Sequence, residues 1–187
     1  MRRGLLALFL AGPVALVMCS SGTGSSERDQ LPEYPVKAAF LYHFVEFVEW
    51  PRASPLPPSS ITIGVLGKDP FGDVLDKAIL KKVVAGRTLI IRRFASLAAL
   101  EPCAILFISS SEMPLLPEIL QRLQGASVLT VGEADRFARR GGMIGFVLED
   151  NRVKLEVNRA AAEKAGLQLS SKLLAVSRLV KPDGGQR

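Results

Sequence analysis

Few residues in this chain could do chemistry, and their spacing limits what that chemistry could be. One histidine, His43, sits in YPVKAAFLYHFVEFVEW (34–50), so no histidine-based metal cluster can form. Ser109-Ser110-Ser111-Glu112 follows the apolar run that ends at Ile108, which is where an α/β fold places a site. No G-x-S-x-G elbow surrounds these serines, and Ser110 or Ser111 reads as the cap of a helix after Pro114. Gly64, Gly67 and Gly72 lie between a strand pattern and a helix pattern, as in a dinucleotide-binding turn. The spacing is not G-x-G-x-x-G, Asp69 would oppose a phosphate, and the next strand runs into Arg92-Arg93 instead of an acid that could hold a ribose. Glu133, Asp135, Glu149 and Asp150 fall in turns or helix starts, where backbone N–H groups alone favour acids. The inventory implies no catalytic residue, no metal and no cofactor, and the chain reads as non-enzymatic.

The elements that would position these residues alternate. Strand patterns at Ile61–Leu66, Arg87–Ile91, Cys103–Ile108 and Ser127–Val131 are separated by helix patterns at 73–80, 97–100, 115–123 and 134–139. Short apolar strands between amphipathic helices predict a mainly parallel sheet covered on both faces. Gly141 to Leu174 changes period twice. Ile144-Gly145-Phe146-Val147-Leu148 is apolar on both faces, and Val153, Leu155 and Val157 alternate with Arg152, Lys154 and Glu156, with Asp150-Asn151 suited to the tight reversal between them. This predicts an antiparallel hairpin whose second arm lies nearer the sheet edge. Asn158 is placed as an N-cap with Gly166 as the stop, and Ser170 or Ser171 starts a last helix to about Val180. The expected fold is a Rossmann-like three-layer α/β sandwich with a C-terminal antiparallel hairpin and an extra N-terminal helix.

That extra helix, Tyr34 to Trp50, ends at Pro51 and a proline-rich linker. Val36, Phe40, Phe44 and Phe47 follow one face and Ala38, Leu41, Val45 and Val48 another, so it is apolar nearly all round. It carries half of the chain's aromatics. Such a helix is either sandwiched within its own domain or supplies an interface with a partner or a second copy, and Phe40, Phe44, Phe47 and Trp50 are the candidate partner-binding residues. A crevice beyond the strand ends offers a second candidate site, for a small molecule, with Asp69, Phe71, Ser109 and Ser110 around it.

The N-terminus reads as an address. Arg2-Arg3, an apolar run from Leu5 to Met18 and a small-residue exit through Ser26 have the layout of a secretory signal peptide (1–26), too short to span a bilayer. Lipid attachment at Cys19 is the alternative, against which Met18 counts. Residues 27–32 read as a flexible tether, 33–180 as the folded domain and 181–187 as a disordered tail. Without the signal the formal charge falls from +6 to about +4. The cations look scattered, with Lys81-Lys82, Arg92-Arg93 and Arg139-Arg140 as doublets, which excludes a nucleic-acid stripe and leaves anionic lipid headgroups compatible but not indicated. Once Cys19 is lost or lipidated, Cys103 has no partner and reads as a small buried thiol.

Several spaced motifs resemble one family. Tyr34, Lys37-Ala38-Ala39-Phe40-Leu41-Tyr42, Phe47-Val48-Glu49-Trp50-Pro51, the Leu66-Gly67 turn with Asp69-Pro70-Phe71-Gly72, Gly141-Gly142-Met143-Ile144 and Leu169-Ser170-Ser171-Lys172-Leu173-Leu174 are similar to the YfiR/HmsC-like proteins. The resemblance covers about Glu33 to Val180. It implies a small exported, periplasmic regulator that binds the periplasmic domain of an inner-membrane diguanylate cyclase and holds it inactive, so that release raises cyclic di-GMP and promotes biofilm. Some relatives carry disulfides in this domain, which this chain cannot form. A homodimer and a small-molecule ligand stay open, as does the alternative of a periplasmic sensing module at the crevice.

Overall fold

The computed structural model describes residues 32–51, 57 and 59–183. The signal peptide with Cys19, most of the tether, most of the proline-rich linker and residues 184–187 lie outside the described residues.

Helix α1 (Glu33–Phe47) leads into a two-residue strand β1 (Val48–Glu49). An eight-stranded sheet follows: β2 (Ser60–Leu66), β3 (Val83–Val84), β4 (Arg87–Phe94), β5 (Ile105–Ile108), β6 (Leu129–Gly132), β7 (Ile144–Glu149), β8 (Arg152–Val157) and β10 (Arg178–Leu179). Its order is β10-β8-β7-β6-β5-β2-β4-β3. All pairings are parallel except β7 with β8 and β3 with β4. The helices are α2 (Asp73–Ile79), α3 (Leu116–Arg122), α4 (Arg159–Lys164) and α5 (Ser171–Ala175).

Strand alternation divides the core in two. Ile61, Ile63, Val65, Ile105, Phe107, Leu129 and Val131 face α1, α2, α4 and α5. Leu66, Leu106 and Ile108 face Met113, α3 and Phe137 on the other side. This is the Rossmann-like three-layer sandwich with an extra N-terminal helix. The hairpin turns at Asp150-Asn151, whose φ angles of 49° and 58° are the left-handed pair that a two-residue loop requires. Asn158 caps α4 by accepting from Ala161 N at 3.1 Å. Ser170 caps α5 by accepting from Leu173 N.

Several elements depart from the sequence pattern. The last helix stops at Ala175, because Ser177 Oγ donates to Leu173 O at 2.6 Å and Arg178–Leu179 then joins β8 as a parallel strand. The hairpin's second arm is therefore one strand in from the edge. Residues 134–139 form a series of turns, since Arg136 adopts φ 57° and so breaks any helix. The helix expected at 115–123 is preceded by a 3₁₀ segment, Ser110–Leu115, and Ser109 takes the capping role by accepting from Ser111 N. Helix α1 ends three residues early because Val48–Glu49 pairs with β9 (Gln168–Leu169). At the C-terminus, Asp183 N donates to Arg139 O at 2.8 Å and its carboxylate pairs with Arg136, so the segment assigned to a disordered tail starts out docked.

Candidate functional site

Helix α1 buries a single stripe, Lys37, Ala38, Leu41, Phe44 and Val45, continued by Val48. The spacing of three and four residues keeps that stripe on the sheet. Phe44 is fully enclosed and stacks on Phe146 of β7, with ring centroids 6.1 Å apart. As a partner-binding residue Phe44 is therefore corrected: no partner reaches it without unfolding the core. Phe40, Phe47 and Trp50 are half-buried. Phe40 leans on Phe44 and Phe146 at 6.1 Å each, His43 stacks near Phe47 at 6.3 Å, and Trp50 Nε1 donates to Ala104 O at 3.3 Å. One flank of the helix, Val36, Phe40, His43 and Phe47, thus remains partly open along its length.

The orientation of this helix is held by a residue that sequence reasoning passed over. Lys37 Nζ is 2.5 Å from Glu133 Oε2, just beyond the carboxyl end of β6, and also bonds Glu33 Oε1 one turn back. Burial penalises the ammonium, but the hydrogen bonds it donates to Glu133 and Glu33, with their charge attraction, outweigh that and raise the Lys37 pKa above its ordinary value. The signal was present: Lys37 occupies a place in the stripe that continues through Ala38, Leu41 and Phe44. Beside Glu133 lies a charged cavity of about 440 Å³ where Arg139 faces Glu156 at 3.6 Å.

The crevice residues are brought near one another but engage their own molecule. Asp69 Oδ1 accepts from Phe71 N and Oδ2 from Arg93 Nε, both at 2.7 Å. Arg93 also donates to Gly72 O at 3.0 Å and pairs with Asp76 at 2.5 Å, a bond that lowers the Asp76 pKa. Phe71 is buried, edge-on to Phe107 at 4.8 Å and to Tyr34 at 5.7 Å. Across the crevice Lys68 N donates to Ser111 Oγ at 3.1 Å. A Cβ at Gly67, where φ is 86°, would lie 2.5 Å from Ser111 and Glu112 side chains. Ser109 is a buried cap, Asp69 is half-buried, and Ser110 is exposed.

As to reactive groups, His43 Nδ1 is 2.9 Å from Glu46 Oε2 on the exposed side of α1, a surface pair one turn apart. Cys103 is 2% exposed, and burial pushes its thiol up to about 12. Among the described residues no group of three His, Cys, Asp or Glu side chains could hold a metal. No helix among them is long and apolar enough to cross a membrane.

Known proteins fall in with this architecture. No curated protein matches the sequence. A solved structure, an ABC domain in complex with L-Trp from Streptococcus pneumonia, superposes with a TM-score of 0.52 at 12% identity, over 76% of this chain and 60% of that one. The chain thus spans less than two thirds of that neighbour, and the likeness is one of α/β fold. The sequence pattern of the YfiR/HmsC-like family, a family of periplasmic regulators, matches residues 34–178. With the motif residues on α1, the Gly67 turn and the hairpin all inside that span, the chain belongs to the YfiR/HmsC-like family.

Proposed function

We propose that this protein is a non-enzymatic periplasmic regulator, exported by its N-terminal signal, that binds the periplasmic domain of an inner-membrane diguanylate cyclase. By favouring the inactive arrangement of that cyclase through differential affinity it lowers cyclic di-GMP and restrains biofilm formation. The observation that carries the reading is the half-open aromatic flank of α1, with Phe40 and Phe47 on it and Trp50 just beyond its end all partly accessible, while Phe44 and Leu41 lock the helix to the sheet. Aromatic edges on a rigid support are what interface centres are built from. Membership of the YfiR/HmsC-like family supports a partner of this kind.

A sensing role at the crevice has less support. Asp69, Phe71 and Ser109 already hold partners of their own, and the two loops bond to each other.

The test is capture of a cyclase periplasmic domain by the purified protein. The Phe40→Ala, Phe47→Ala double variant is expected to keep its fold and lose capture by at least tenfold, since each hot-spot truncation costs about 2 kcal/mol or more. Undiminished capture by a folded double variant overturns the assignment of α1. Absence of capture by the wild-type chain overturns the cyclase reading itself.

A further inference from the structure

The corner where α2 passes into the β3–β4 hairpin has a composition that the reading above does not use. From Lys77 to Leu100 the chain carries Lys77, Lys81, Lys82, Arg87, Arg92 and Arg93 and no acid. Arg92 pairs with Glu101, and Arg93 with Asp69 and Asp76. Lys77, Lys81, Lys82 and Arg87 form no ion pair among the described residues, and Lys82 Nζ rests 5.3 Å from the Tyr42 ring centroid. The Lys81-Lys82 doublet thus stands without an acidic partner at the entry to the hairpin, with Arg87 on the strand that pairs back.

Three exposed apolar side chains lie in the same stretch of chain. Leu80 is 68% exposed, Val83 59% and Ile90 40%. Val83 lies opposite Thr88 in the ladder, so Val83, Thr88 and Ile90 share one face of the sheet. The chain leaves β4 through a single 3₁₀ turn, Leu97–Ala99, instead of a covering helix. The hairpin reverses at Ala85-Gly86, with φ 49° and 76°, and a Cβ added to Gly86 would meet nothing within 4 Å. Leu80-Lys81-Lys82-Val83 is therefore one continuous exposed segment, two lysines flanked by two apolar side chains, next to an open hairpin turn.

We propose that this corner docks the protein on the anionic phospholipid headgroups of a bilayer surface, with Leu80 and Val83 entering the boundary between headgroups and acyl chains. The lysine stems can lie along the apolar side chains while their ammonium groups reach headgroup phosphates. Apolar burial and attraction to anionic lipid then act together, as they do for interfacial elements generally. An exposed segment that combines apolar side chains with cations lacking an acidic partner suits a fluid anionic interface better than an acidic protein surface, which would need a groove shaped to receive Leu80 and Val83. The proposal is independent of what α1 binds.

The test is co-sedimentation of the protein with vesicles of phosphatidylcholine alone and of phosphatidylcholine with phosphatidylglycerol. The wild type and every variant are prepared as the exported protein with one and the same N-terminus, so differences between variants report the corner alone. The wild type is expected to favour phosphatidylglycerol vesicles and to weaken with added salt. The Lys81→Glu, Lys82→Glu variant should lose more than tenfold in binding, at roughly fivefold per cation removed. Leu80→Ser with Val83→Ser should also weaken binding at unchanged charge. All four positions are exposed, so circular dichroism and Tm should stay those of the wild type. Equal affinity for both vesicle types, or variants that bind as the wild type does, overturns the proposal. Capture of an acidic protein domain through Lys81 and Lys82 with no vesicle binding assigns the corner to a protein partner and overturns it as well.

Discussion

Lys37 Nζ and Glu133 Oε2 lie 2.5 Å apart with their side chains 5% and 12% exposed, so the helix that leads the domain is tied to the carboxyl end of β6 by an enclosed ion pair. Tyr34 and Phe146 rings approach the same ammonium at 4.9 and 5.9 Å. Removing Lys37 leaves the Glu133 carboxylate, 12% exposed, without its cation. Lys37→Met should cost about 3–5 kcal/mol in urea unfolding, and a Lys37→Met, Glu133→Met double variant should recover a large part of it. A single variant as stable as the wild type would show that the pair contributes nothing to the fold.

The same pair sets a pH dependence. The Lys37 pKa is raised in the folded protein above 10.5. Its contribution is fully present below that value and is lost as pH rises through the higher folded one. Stability at neutral pH should therefore not change on titrating Lys37. An alkaline decline specific to the wild type, absent in Lys37→Met, is the expected signature.

Phe44 and Phe47 are neighbours on α1 with opposite fates. Phe44→Ala should destabilise by about 3–5 kcal/mol, as for a buried phenylalanine. Phe47→Ala, half-exposed, should cost about 1 kcal/mol. Equal losses in thermal or urea unfolding would mean that Phe47 is as integral to the core as Phe44.

Gly132 and Gly142 form a seat for the Phe137 ring. A Cβ on Gly142 would come within 2.1 Å of Phe137 Cε1, and one on Gly132 within 2.5 Å of Cδ2. Phe137 is 1% exposed and has nowhere to move. Gly142→Ala should therefore cost about 1–3 kcal/mol, and a second change, Phe137→Leu, should relieve part of that loss. Additive losses in the double variant would exclude this contact as the cause.

Cys103 should resist alkylation in the native state at neutral pH and react on unfolding, because burial holds its thiol protonated up to about 12. Since the ordinary value is 9.0, the preference for the thiol adds stability below that pH and loses it as pH rises toward 12. Rapid labelling of the folded protein would contradict both statements.

The alternation of strands and helices, the hairpin turning on Asp150-Asn151, and the caps at Asn158 and Ser170 were legible in the residue pattern. Each is a local preference: left-handed backbone at Asp and Asn, side-chain oxygens for open N–H groups, and period-two burial. The short pairings β1–β9 and β8–β10 were not legible, because two-residue strands carry no period and exist only where distant segments meet. The turns at 134–139 depend on Phe137 finding Gly132 and Gly142, which periodicity does not report.

For the sites the division is similar. The aromatic richness of α1 and the cation doublet at Lys81-Lys82 are properties of composition, readable without coordinates. Which aromatic is sealed and which stays open depends on how the helix is rolled on the sheet, and Lys37 with Glu133, 96 residues apart, sets that roll. The placing of Val83 on one face with Thr88 and Ile90 likewise needed the hairpin to fold back. Local propensity writes the elements into the chain, while solvent access at each side chain is a property of the packed whole.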